Sequence, residues 1–171
     1  MYNSVKSIVK KVFPVTLNQR YDKQTKRIMQ MVLEEDSTFI DVGSHKGEVL
    51  ELALKISKKG KHFAFEPIPH LFHKLIDKFG AKCEVLNYGL SDEKKKSSFQ
   101  HVTTNPAYSG IKTRTYPKDE QVETIQIQLD TLDNQLKQYE TQSVEINGQL
   151  TTLTTELSVL ETENPEIAEF L

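Results

Sequence analysis

The segment Thr38-Phe39-Ile40-Asp41-Val42-Gly43 constrains this chain more than any other. A run rich in β-branched and aromatic residues reads as a buried strand, and Gly43 stops it. Gly47 follows, and Glu48 to Ile56 then carries apolar residues at helical spacing. Strand, glycine turn and helix in that order commit the chain to a βα unit. The pattern then repeats. His62-Phe63-Ala64-Phe65 is a second strand, ended by Glu66-Pro67. Residues 69–79 form a second helix with Leu71, Phe72, Leu75, Ile76 and Phe79 as its apolar face, and Gly80 closes it. Cys83 to Asn87 is a third strand, and residues 24–34 read as a helix leading into the first. Crossovers of this length favour an α/β fold, a parallel sheet with helices on its faces.

The pattern changes after residue 90. Lys96 to Val102 reads as a strand, and Val122 to Leu129 alternates as a half-exposed strand should. Between them, Asn105-Pro106, Ser109-Gly110 and Tyr116-Pro117 punctuate a long loop, so an antiparallel hairpin is expected. From Leu129 a heptad series begins. Its a positions are Leu129, Leu136, Ser143, Leu150 and Leu157, and its d positions are Leu132, Tyr139, Ile146, Leu153 and Leu160. That spacing predicts a long C-terminal amphipathic helix, a candidate for self-association through 129–161, ended by Pro165. The alternatives are a helix packed on the domain or on a partner, or a frayed one, because Asn147-Gly148 and four threonines lower its propensity. Charge changes at the same point. Residues 1–128 hold 21 basic and 15 acidic side chains, whereas 129–171 hold one lysine and nine acids. The expected domains are therefore 1–128 and 129–171.

Several classes are disfavoured. No apolar run approaches the ~20 residues of a membrane span, and the start lacks the apolar stretch of a secretory leader. Residues 5–13 read as a short basic helix with Val5, Ile8, Val9 and Val12 on one side. Cys83 is the one cysteine, so no internal disulfide forms, and a cytoplasmic setting is the simple expectation. The five histidines make no recognised metal pattern. The lysines are scattered without interleaved aromatic residues, so no nucleic-acid partner is expected.

The chemistry concentrates where the first two strands end. Gly43 removes the Cβ that would keep a ligand from the backbone, and Gly47 allows the turn into the helix. Glu66, about twenty residues on, suits both hydroxyls of a ribose. The turn is neither a P-loop nor a GxGxxG fingerprint, and the acidic Asp41 argues against a pyrophosphate and for a cation or amine. The pattern describes a site for an adenosine-containing cofactor. A general nucleotide module preferring NAD is the reading that the single turn glycine disfavours.

FIDVGSHKGEVLELA, FAFEPIP and VLNYGLSD, with the later QIQLDTLDNQL, resemble the FkbM-type S-adenosylmethionine-dependent methyltransferases over about residues 20–136. The resemblance implies a class I methyltransferase-like fold and S-adenosyl-L-methionine as cofactor. It implies that Asp41, Gly43, Ser44 and Gly47 lie around the methionine part, Glu66 at the ribose, and Asn87, Ser91 and Asp92 near the adenine side. It implies methyl transfer, mainly to oxygen, with a sugar or other small metabolite as acceptor. His45, His101 and Tyr108 are the candidate catalytic residues. The family's later IDVEG-type motif is not found. Val144 to Gln149 is the nearest string and sits inside the heptads. Without that later strand, the first strand loses a neighbour and the cofactor crevice is expected to have one wall. A truncated, non-catalytic protein acting in assembly through its C-terminal helix is the alternative.

Overall fold

The computed structural model describes residues 17–116 and 119–163. The expected helix at 5–13 and the stop at Pro165 lie outside the described residues. The chain divides into two compact units, Met1–Gly89 with Lys96–Gln128, and Leu90–Lys95 with Leu129–Leu171.

The first unit opens with helix α1 (Leu17–Val32), strand β1 (Phe39–Val42), helix α2 (Glu48–Ile56), strand β2 (His62–Phe65), helix α3 (Pro69–Phe79) and strand β3 (Glu84–Leu86). Helix α1 starts and ends earlier than the expected 24–34, and Met29 is its one buried residue among those described. The three strands form a parallel sheet in the order β1-β2-β3, with Phe39 opposite His62 and Val42 opposite Phe65. Central β2 is buried throughout, which is why His62 to Phe65 reads as a continuous rather than an alternating run.

The expectation of a buried first strand is corrected. Strand β1 lies at the edge of its sheet, and Val42 is 59% exposed. No strand covers its outer side among the described residues, as the missing later motif implied.

Helix α2 carries Glu48 and Glu51 in its first turn and Lys55 in its last, each placed well for the helix dipole. It buries Leu50 and Ala53, one turn apart. Helix α3 has Pro69 in its first turn, where a missing N–H costs nothing, and buries Leu71, Leu75 and Phe79 at i, i+4 and i+8. Ile76, assigned to the apolar face, is instead exposed. Leu50, Ala64, Leu75, Phe79 and Cys83 make the core, with Leu54 and Val85 packed against it. Burial pushes the Cys83 thiol up to about 12, which keeps it protonated.

A second sheet has the order β4-β6-β5, from β4 (Gly89–Leu90), β5 (Lys95–Val102) and β6 (Val122–Asp130). Strands β5 and β6 run antiparallel, because Gln126 bonds Ser98, Thr124 bonds Gln100 and the Thr103 N–H donates to Gln121. The architecture is therefore an incomplete Rossmann-like α/β fold with an antiparallel hairpin.

In the second unit, helix α4 (Leu132–Glu163) runs 32 residues. Leu129, read as its first heptad position, belongs to β6 and is 1% exposed. The heptads consequently start at Leu132. Thr131 caps the helix, its Oγ1 accepting the Asn134 N–H at 3.1 Å. Buried Asp130 braces this start: its carboxylate accepts hydrogen bonds from the Thr131 N–H, Asn134 Nδ2 and Gln135 Nε2. Burial pushes Asp130 up, but those bonds outweigh it and the carboxyl sits below its ordinary range. Among the described residues no helix is long and apolar enough to cross a membrane.

Candidate functional site

The turn after β1 is built from alternating left-handed residues: Gly43 at φ 74°, His45 at 51° and Gly47 at 72°. Histidine tolerates that region better than most side chains, though at a cost near 1–2 kcal/mol. The end of β2 holds the turn in place. Gly43 and Ser44 donate their N–H groups to Phe65 O at 2.8 and 3.1 Å, and the His45 N–H donates to Glu66 Oε2 at 2.8 Å. The other carboxylate oxygen, Glu66 Oε1, accepts the Ile68 N–H at 2.9 Å. Glu66 thus ties the glycine turn to the start of α3 while only 3% exposed. Each carboxylate oxygen keeps capacity for a further donor. Burial raises the Glu66 carboxyl above its ordinary value.

The two glycines have different environments. A Cβ on Gly43 would meet nothing within 4 Å. A Cβ on Gly47 would press into Phe79 and lie 2.8 Å from Leu75 Cδ2. Gly47 is therefore required by the packing of the turn on α3.

A cavity of about 260 Å³ opens beside this turn. One wall is Gly43, His45, Glu66, Pro67 and Ile68. The other is Phe99 of β5 with Pro106, Ala107 and Ser109 from the following turn. Residues of the hairpin thus face the turn across this cavity, while the outer side of β1 has no strand among the described residues. That wall is pinned locally, since Gln100 and Gly110 exchange backbone hydrogen bonds and Ser109 Oγ accepts the Val102 N–H at 2.9 Å. The cavity lies just below the roughly 300–1,000 Å³ of drug-sized ligand sites, which suits a nucleoside-sized group.

Of the residues expected at the site, Gly43, His45 and Glu66 line the cavity. Ser44 is buried beside them, with its hydroxyl on Asp41 O at 3.1 Å. Asp41 itself is part-buried, and its Oδ2 has no hydrogen-bond partner. Burial pushes its carboxyl up. Asn87 Nδ2 donates to Glu66 O at 2.8 Å and so secures the acidic strand end. Ser91 and Asp92, which bond each other at 2.9 Å, belong to the second compact unit.

Among the candidate bases, His45 has a buried Nε2 with no partner, and burial followed by the Lys46 charge lowers its pKa. His101 is 8% exposed, and its ring lies 5.3 Å from that of His70. Its Nε2 is likewise unpartnered. Tyr108 stacks on Tyr116 and is 37% exposed. Phe99, Pro106, Ala107 and Ser109 carried no motif. Only the turn punctuation at Asn105-Pro106 and Ser109-Gly110 marked their neighbourhood. Among the described residues no group of three or more His, Cys, Asp or Glu side chains is placed to hold a metal ion.

No family model matches the chain, and no curated protein matches it. The crystal structure of the 23S rRNA methyltransferase ErmE is similar to part of it, with a TM-score of 0.33 and 18% identity over 42% of this chain. The similarity spans 36% of that protein's length.

Proposed function

We propose that the α/β unit binds S-adenosylmethionine and that the chain is the core of an S-adenosylmethionine-dependent methyltransferase acting on oxygen of a sugar or another small metabolite. The joining of the glycine turn to Glu66 beside a nucleoside-sized cavity carries the reading. It brings the ends of two adjacent parallel strands together, where open α/β sheets take their ligands. The donor set fits the cofactor. Asp41 Oδ2 lacks a partner and suits the ammonium of the methionine part. Gly43 leaves space for close approach, and Glu66 retains lone pairs for the ribose hydroxyls. When bound, the cofactor supplies an electrophilic methyl group. We assign to His45, whose buried Nε2 has no partner and whose pKa burial lowers, the proton that an acceptor hydroxyl gives up.

Calorimetric titration with S-adenosylhomocysteine tests the reading on the wild type, Gly43→Ala and Glu66→Gln. Micromolar binding is expected in the wild type, and a loss of at least tenfold in both variants. Failure of a folded wild type to bind, or unchanged binding by Gly43→Ala, overturns it. NAD serves as the control ligand and is expected not to bind.

A further inference from the structure

The sequence of α4 gives it an apolar seam that the structure leaves in solvent. Ile146, Leu150 and Leu153 are each 61% exposed and Leu157 is 48% exposed, at d, a, d and a of consecutive heptads. Gln135, near the start, is the one buried residue of the helix. A helix of this composition has weak reasons to persist alone. Gly148 lowers its helix propensity, and Thr151, Thr152, Thr154 and Thr155 turn their hydroxyls back onto carbonyls four residues earlier. Helical stability in proteins comes mostly from packing an apolar face, and the stretch from Ile146 to Leu157 keeps its a and d side chains largely exposed.

The flanks of the seam indicate what covers it. The e positions are Asp133, Glu140, Asn147, Thr154 and Glu161, and the g positions are Gln135, Gln142, Gln149, Glu156 and Glu163. Every charge among them is negative. The one lysine of the helix, Lys137, sits at b and pairs with Asp133 at 2.7 Å. A second copy in parallel would set Glu156 against Glu161, and an antiparallel copy centred on the seam would set Glu140 against Glu161. Neither arrangement offers an opposite charge. We infer that the seam docks an amphipathic helix from a different protein, apolar at its a and d positions and carrying lysine or arginine at e and g. Charge pairs at these positions select partners in coiled coils, and they add attraction on encounter. The inference is independent of whether the α/β unit takes the cofactor.

The test uses the full chain and two synthetic four-heptad helices with leucine at a and d, one bearing lysine and the other glutamate at every e and g. Calorimetry is expected to show saturable one-to-one binding of the lysine helix, weakened about tenfold or more from low to high salt, as exposed charge pairs require. The glutamate helix is expected not to bind. In the variant Glu140→Lys/Glu156→Lys/Glu161→Lys the preference is expected to reverse, a readout that leaves the apolar seam intact. The inference is overturned if the folded chain ignores the lysine helix, if both helices bind equally, or if the charge swap leaves the preference unchanged. It is equally overturned if sedimentation shows the chain alone forming dimers that Leu150→Glu/Leu153→Glu abolishes, because the occupant is then a second copy.

Discussion

Replacing Gly47 with alanine is expected to destabilise the α/β unit well beyond the same change at Gly43, although the two have nearly the same backbone angle. Both sit at positive φ, 72° and 74°, so each alanine carries the left-handed penalty of about 1–2 kcal/mol. At Gly43 nothing is added, because the new methyl meets nothing within 4 Å. At Gly47 the methyl drives into the Phe79 ring and Leu75 Cδ2. Leu75 is 1% exposed and Phe79 6%, both within the core, so neither moves aside freely. Overpacking of this kind adds about 1–3 kcal/mol, for a total near 2–5 kcal/mol at Gly47. That is a large share of the 5–15 kcal/mol typical of a domain. The chain has no tryptophan, so the assay is amide hydrogen exchange at Ala64 and Phe65 in buried β2, which reports the opening free energy of this unit. Equal losses for the two variants, or a Gly47→Ala loss under about 1 kcal/mol, would refute the assignment of Gly47 to packing.

Glu66→Ala strands the His45 and Ile68 N–H groups, at about 1–3 kcal/mol for each buried donor, and Glu66→Gln recovers part of that loss. Hydrogen exchange at Phe65 distinguishes the two variants. Cys83, 6% exposed and raised to about 12, is expected to resist iodoacetamide at pH 8 in the native protein and to react once urea opens the core. The depressed Asp130 carboxyl stabilises the folded helix start above its unfolded pKa. That contribution is lost as pH falls through the lower folded value, so helicity at 222 nm should decline on acidification below about pH 4. Asp130→Asn is expected to flatten that acid limb, and an unchanged limb would remove Asp130 as its source.

The βα units were legible because their signals are local. Residues 48–56, 62–65 and 69–79 carry spacing, glycine and proline cues that tertiary packing did not override. The edge position of β1 was legible through the missing later motif, yet the exposure of Val42 was not, since β-branched runs read alike at an edge and in a centre. Leu129 was read both as the end of a strand and as the first heptad position, because a leucine three residues before Leu132 satisfies both patterns; the strand takes it, and the Thr131 cap starts the helix after it. The Glu66 strand end was read correctly in position. Its double engagement with the His45 and Ile68 backbone was not, because His45, 21 residues away, carries no sequence mark of that bond and the nearby Ile68 N–H is an unmarked backbone donor. The wall of Phe99, Pro106 and Ala107 was hidden for the same reason: it depends on how the hairpin folds back.

The fastening of the turn makes the site a gauge of strand alignment. Three backbone N–H groups, from Gly43, Ser44 and His45, find acceptors on two consecutive residues at the end of β2. A slip of β1 by one residue would carry the turn about 3.3 Å past Phe65 and Glu66 and rotate Asp41 to the opposite face. Misaligned molecules would lose the His45 bond to Glu66 and the Asp41 orientation at once, while keeping nearly the same helices and strands. Circular dichroism would scarcely tell the two populations apart. A ligand that needs both carboxylates would, so the fraction of chains competent to bind measures how faithfully two four-residue strands have found each other.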